Sequence, residues 1–158
     1  LPIHVQVLAY LGQANRYSDI PIAVAEYLGI TRGTVSQTLA LLERKGLIEK
    51  QADPRHGRRI HLSLTEAGQA VTESSWLHRL DEALGGAECS DPAFEKGLRS
   101  LLAALQRLND HRAFGVCRQC AHFLVEPDGT RCGLTSEPLA IEQTTKICRE
   151  WRERPVAG

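Results

Sequence analysis

Residues Ile30–Gly68 read ITRGTVSQTLALLERKGLIEKQADPRHGRRIHLSLTEAG, and the fold is decided here. Thr31 is a good N-cap for a helix running to about Lys45, and Gly46 stops it. At about 100° per residue, Val35, Leu39 and Leu42 share one face, which must be the buried one. The opposite face carries Gly33, Ser36, Gln37, Ala40 and Arg44, with Arg32 and Thr34 on its flanks. Small residues there let a helix sit deep in a major groove, where Ser36 and Gln37 can hydrogen-bond base edges. Thr31, Arg32 and Thr34, near the helix N-terminus, suit phosphate contacts. A merely solvated amphipathic helix has the same periodicity, so the segment after the helix carries the decision. Leu47–Gln51 and the strictly alternating Ile60–Leu64 read as two strands joined by the turn-forming, basic tip Ala52–Arg59. Arg55, Arg58 and Arg59 crowd around Gly57 and repel one another unless a polyanion is near. Such a tip suits the narrow minor groove, which concentrates negative potential. Asp53 is placed to brace the tip by pairing with an arginine across the hairpin.

Upstream, Pro2–Ala14 reads as a helix with Ile3, Val7, Leu8 and Leu11 on one stripe. A polar break over Asn15–Ile20 leads to a short helix, Pro21–Leu28, which Gly29 ends. Two helices joined by Gly29-Ile30-Thr31 and followed by a basic hairpin make a winged helix-turn-helix. Downstream, Thr65 starts a helix with Leu77, Leu80 and Leu84 on one face, ended by Gly85-Gly86. Asp91 then caps a helix from Pro92 that carries Phe94, Leu98, Leu101, Leu105 and Leu108 at four-three spacing. That stripe is either ordinary packing within the chain or the seam with a partner helix.

The fold class expected is mainly α with a small β-hairpin wing, flanking dimerisation helices and a small irregular C-terminal module. The divisions are a DNA-binding region over 1–90, a candidate dimerisation helix over 91–110 and a cysteine module over 111–158. At 158 residues, 42% hydrophobic and 24% charged, the chain is globular and long enough to bury a core. No apolar run is long enough to cross a membrane and no signal segment opens the chain, which reads as cytoplasmic with no membrane partner. Because the chain begins at Leu1 and contains no Met, residues are expected upstream of it. The formal charge of zero hides an asymmetry of +3 over Leu1–Thr65 against −3 over the rest, with +4 within Thr31–His61. A local basic patch suits contact with a polyanion on one face. No paired carboxylates, nucleophile–base set or phosphate loop stands out, so an enzyme is not expected.

Residues Ile30–Val71 resemble the MarR family of winged-helix regulators. The likeness rests on Thr31-x-x-x-Val35-Ser36, on Leu-Glu-Arg-Lys-Gly-Leu-Ile (Leu42 to Ile48), on Asp-Pro-Arg-x-Gly-Arg-Arg (Asp53 to Arg59) and on Leu-Thr-x-x-Gly (Leu64 to Gly68). The resemblance implies a homodimer on a pseudo-palindromic operator of double-stranded DNA, usually repressing, with dimer contacts from terminal helices. Gln37 stands where the family often has Arg, so a base preference is not carried over. The N-terminal dimerisation helix usual in the family is missing or shortened before Leu1.

Cys117-x2-Cys120-x11-Cys132-x15-Cys148 is the second informative feature. Thiolates are soft ligands, and four of them can close a tetrahedral site. Gly115, Gly129 and Gly133, with Pro127-Asp128-Gly129, supply turns for wrapping a chain around a metal. Structural zinc sites usually show two short Cys-x2–4-Cys knuckles, whereas here Cys132 and Cys148 stand alone. One tight pair with two isolated cysteines resembles high-potential-type iron–sulfur modules, and the small subunits of some glycyl-radical enzymes carry a similar arrangement. That resemblance implies an iron–sulfur cluster of the four-iron four-sulfur type, with zinc as the alternative. His122 is a further candidate ligand or a neighbour of the ligands, and Cys89 reads as a spare thiol. Two functions fit these residues: a regulator whose cluster senses redox state, oxygen or iron, or one whose zinc is purely structural. A third reading is a cluster-bearing accessory protein whose winged helix binds protein.

Overall fold

The computed structural model describes residues 2–54, 57–75, 79–80, 82–83, 92–108 and 113–154. Arg55, Leu77, Leu84, Cys89 and Asp91, all singled out in the sequence, lie outside the described residues. Helices α1 (Ile3–Gln13), α2 (Pro21–Leu28) and α3 (Arg32–Arg44) precede a hairpin of β1 (Ile48–Ala52) and β2 (Ile60–Leu64). These are the elements of a winged helix-turn-helix, in the expected order. Gly29 ends α2 in the left-handed region, φ 65°, and its N–H returns to the Ala25 carbonyl. Thr31 Oγ1 accepts from the Thr34 N–H at 3.1 Å, a cap worth about 1 kcal/mol. β1 and β2 pair antiparallel with Ile48 opposite Leu64 and Ala52 opposite Ile60.

Val7, Leu8 and Leu11 of α1, Ala23 and Val24 of α2, and Val35, Leu39 and Leu42 of α3 meet Ile48 and Leu62 in one core. The buried face of α3 is therefore the one its periodicity requires, with Thr38 added. Helix α4 spans Glu66–Glu73, capped by Thr65, whose hydroxyl accepts from the Gly68 N–H. A Cβ on Gly68 would stand 2.0 Å from the Leu47 carbonyl oxygen, so only glycine lets α4 start against the wing.

The C-terminal part is more regular than its sequence suggests. After α5 (Pro92–Leu108) come β3 (Gly115–Val116), a 3-10 turn (Cys117–Gln119), β4 (Phe123–Glu126), β5 (Gly129–Cys132), β6 (Pro138–Leu139), α6 (Ile141–Thr144) and β7 (Ile147–Cys148). They form a three-stranded sheet, β4-β5-β6, and a β3–β7 pair. The irregular module expected here is thus two small antiparallel sheets. Strands of two to four residues lack the alternation that makes a strand readable.

This module sits on the winged helix itself. The Asn15 N–H donates to the Ile147 carbonyl at 2.9 Å, and Phe114 enters the main core. There Phe114 lies edge-on to Tyr10 and Tyr27, with ring centroids 6.3 and 5.2 Å away. Arg149 makes a bidentate ion pair with Glu26 of α2, Nε–Oε2 2.5 Å and Nη2–Oε1 2.9 Å. Aromatic burial of this kind dominates docking, and the planar guanidinium fork fixes its register.

On α5, Phe94, Leu98, Leu101, Leu102 and Leu105 are all exposed, from 46% to 58%. The stripe is therefore not covered by the described residues of the chain. Replacing Leu101 and Leu105 together by Glu should leave the thermal midpoint of the folded chain nearly unchanged. Light scattering should then show half the parent's mass if a second copy covers the stripe.

Candidate functional site

The exposed side of α3 is assembled by its buried side. With Val35, Leu39 and Leu42 fixed in the core, Arg32, Gly33, Thr34, Ser36, Gln37, Ala40 and Arg44 are turned to solvent. Thr31, which caps the helix, is exposed as well. Arg58 and Arg59 are exposed at the end of the hairpin, as the sequence requires of a wing. Apart from Arg55, which lies outside the described residues, the side chains expected to touch bases and phosphates are thus accessible on one helix and one hairpin tip.

The foot of the wing is braced, though not chiefly as expected. Asp53 Oδ2 lies 4.0 Å from Arg59 Nη1, at the edge of an ion pair, and 3.2 Å from His61 Nε2. The other imidazole nitrogen, Nδ1, is 2.6 Å from Asp19 Oδ1, on the loop between α1 and α2. His61 therefore bridges two carboxylates from distant parts of the chain. Sequence reasoning placed His61 on a half-buried strand and missed this role, because Asp19 is 42 residues away. Burial opposes the imidazolium, but hydrogen bonds to Asp19 and Asp53 outweigh it and raise the His61 pKa. Burial also raises the Asp19 carboxyl, against the pull of His61.

The four expected ligand cysteines come together. Cys117, Cys120, Cys132 and Cys148 line one cavity of about 20 Å³ with Tyr17, His122, Phe123 and Leu139. The 3-10 turn closes the Cys-x2-Cys pair, since the Cys120 N–H donates to the Cys117 carbonyl at 3.0 Å. Cys132 ends β5 opposite Phe123, and Cys148 ends β7 opposite Gly115. Gly115 is required there, because a Cβ would meet the Trp151 ring at 2.5 Å. A separate, broad cleft of about 1000 Å³ opens between α1, α4 and Gln143–Ile147, with no cysteine on its walls.

Whether this cavity suits a metal centre is tested by what surrounds the sulfurs. Burial, and then the other three cysteines, push the Cys117 thiol up to about 12. Burial also raises Cys148, while the Asn15 side chain works the other way. The backbone N–H groups of His122 and Arg152 donate to Cys120 Sγ at 3.4 and 3.3 Å. Two buried side-chain nitrogens of this module, His122 Nε2 and Trp151 Nε1, meet no partner in hydrogen-bonding geometry. N–H groups aimed at sulfur favour thiolate, and unpartnered buried donors favour an added acceptor. The donor set fits a thiophilic metal. The spacing is not that of a closed site: among the described residues, no three His, Cys, Asp or Glu are grouped to hold an ion.

Comparison with known proteins places the first part of the chain. Residues 1–59 match the model of the MarR family. An uncharacterized HTH-type transcriptional regulator of Bacillus subtilis (strain 168), YdcH, is 37% identical over 70 residues, 43% of this chain and 48% of that protein. The chain spans about half the length of the curated relatives it matches. Streptococcus pneumoniae FabT, solved in complex with DNA, is similar at 29% identity and a TM-score of 0.51, over 66% of this chain and 75% of that one. A mutant MepR from a multidrug-resistant S. aureus clinical isolate is similar at 27% identity and a TM-score of 0.53, over 66% of this chain and 78% of that one. The relatives matched are regulators rather than enzymes, in agreement with the sequence. No helix among the described residues is long and apolar enough to cross a membrane. The family match ends at Arg59, well before the thiol cavity.

The His61 bridge makes stability depend on pH with a definite sign. Its folded-state pKa is raised, so its contribution is complete below the ordinary histidine value of about 6.5. It is lost as pH rises through the raised value. Urea unfolding at a series of pH values should therefore show the parent's advantage over His61→Gln shrinking across that window.

Proposed function

From the match of residues 1–59 to the MarR family, we propose that this chain is a dimeric DNA-binding transcription regulator of the repressor type. One observation carries the reading: the Ser36–Gln37 face of α3 is solvent-exposed directly opposite its core face and lies beside a basic wing. In this reading Ser36 and Gln37 meet base edges in the major groove, and Thr31, Arg32 and Thr34 hold phosphates. Arg55, Arg58 and Arg59 enter the minor groove. The exposed leucine stripe of α5 joins two copies, which sets the spacing of two reading heads on a pseudo-palindrome. FabT, similar in fold and partly in sequence, was solved on DNA, which supports the same use here.

The proposal includes a metal centre on Cys117, Cys120, Cys132 and Cys148, read first as a four-iron four-sulfur cluster. Such a group supplies sensitivity to redox state, oxygen or iron supply. Support comes from four thiols lining one cavity, the N–H donors to Cys120 Sγ and the unpartnered His122 Nε2 and Trp151 Nε1. Within it, Cys117 and Cys148 lose their protons only against a bound cation, since burial holds both thiols neutral otherwise. Zinc is the second reading, favoured by a cavity of about 20 Å³, the room of one ion.

Two experiments test these parts separately. Arg58→Ala should weaken binding to every duplex and lower the salt slope by about one counterion. Gln37→Ala should cost about 1–3 kcal/mol at particular base pairs only. Unchanged DNA affinity in both variants at low salt would refute the DNA-reading role.

For the thiols, protein purified without oxygen should be coloured by sulfur-to-iron charge transfer and should contain iron and sulfide by analysis. Replacing any one of the four cysteines by Ser should abolish or alter that colour, and Cys89→Ser should not. Colourless protein with one zinc per chain would leave the structural reading in its place.

A further inference from the structure

The loop between α1 and α2 is held from two sides, and the two sides are the thiol cavity and the wing. On the first side, the Asn15 N–H donates to the Ile147 carbonyl at 2.9 Å, next to Cys148. The Arg149 N–H donates to Ser18 Oγ at 2.7 Å, and Gln143 Oε1 accepts from the Arg16 N–H at 2.9 Å. On the second side, the Leu62 N–H of β2 donates to the Asp19 carbonyl at 2.7 Å, and Asp19 Oδ1 meets His61 Nδ1 at 2.6 Å. His61 then passes to Asp53 at 3.2 Å, at the start of the wing tip.

The loop between these contacts is stiff. Asn15 and Ser18 are fully buried, both at 0% exposure. Ser18 Oγ donates to Asn15 Oδ1 at 2.9 Å, and the Ser18 and Asp19 N–H groups both donate to the Asn15 carbonyl, at 2.8 and 3.0 Å. Tyr10 fixes the far side by donating its hydroxyl to the Ser18 carbonyl at 2.8 Å. A buried network with most of its bonds made has few small distortions open to it, so a shift at one end is passed on rather than absorbed. Arg149, the residue after Cys148, also grips Glu26 of α2, the helix against which α3 packs.

We propose that the Asn15–Asp19 loop transmits the state of the four-thiol centre to the DNA-binding wing, through Asn15, Ser18, Asp19, His61 and Asp53. The inference rests on the metal-centre reading above and says how that centre regulates. Loading ties Cys148 to the same centre as Cys117, Cys120 and Cys132, which line the cavity with it. Cys148 can move inward only with its neighbours Ile147 and Arg149, whose backbone atoms hold Asn15 and Ser18. The displacement reaches Asp19 and then His61, and alters how firmly the wing tip is held. The wing is therefore coupled to the thiols through the body of the reading head, without any change at the seam between two copies. Ser18 and Asp19 act here as positioning residues, since neither touches the metal or the DNA.

The test uses the whole chain, loaded without oxygen with ferrous iron and sulfide or with zinc chloride, and compared with the same protein after chelation. Affinity for a mixed-sequence duplex is read by fluorescence anisotropy, and hydrogen exchange by the backbone of β1 and β2 is followed in parallel. In the parent, loading should change DNA affinity by about tenfold and alter exchange in the wing. Asp19→Ala should take up the same metal per chain, yet its affinity ratio should fall below about twofold. Should Asp19→Ala fail to fold, His61→Phe, which keeps the ring's bulk and removes both carboxylate contacts, serves for the same comparison. Glu126→Gln, in the exposed ion pair with Arg131 away from the loop, should keep the parent's ratio. A parent that binds no metal overturns the thiol-centre reading, and this inference with it. A parent that binds metal with no change in affinity overturns the inference alone. So does a variant that loads and keeps the full ratio.

Discussion

The junction between the winged helix and the cysteine-bearing part turns on one buried residue, Asn15. Its N–H and carbonyl, and the oxygen of its side chain, serve Ile147, Ser18, Asp19 and Tyr17 in a place closed to solvent. An amide so placed costs several kcal/mol unless its bonds are made, so the loop and the C-terminal strand must find each other for either to be stable. The result is that Phe114 and Ile147 join the winged-helix core, beside a second cluster of Cys117, Leu139 and Cys148. Phe114 closes that core against Tyr10 and Tyr27, and Arg149 locks it to Glu26.

The reading face is set by packing rather than by charge. Three aliphatic side chains on α3 insert into the core, and helix geometry then leaves Ser36 and Gln37 facing outward. Surface ion pairs add little here: Lys50 and Glu43 lie 2.6 Å apart, but both are largely solvated. The His61 bridge is different, because Asp19 and Asp53 are more sheltered and belong to separate elements. It joins the wing to the same loop that contacts the cysteine-bearing part.

The thiol cavity shows how a metal-type cysteine pattern is prepared by backbone. A 3-10 turn and two strand ends bring four sulfurs to one cavity, and glycine at position 115 makes room for the Trp151 ring against it.

The sequence by itself determined the winged helix-turn-helix, because each of its signals is local. Thr31 caps within three residues, Gly29 and Gly46 stop helices by a single φ, and the buried faces repeat within one turn. It also determined which four cysteines would gather and that the α5 stripe was apolar. Tertiary structure alone decided where the cysteine part docks, that its strands form two sheets, and that the described residues leave the leucine stripe uncovered. Asp19 and His61 are 42 residues apart, Glu26 and Arg149 123, and no periodicity links positions so distant. Such contacts are chosen by which polar groups remain unsatisfied once the core has closed, and that is settled only in three dimensions.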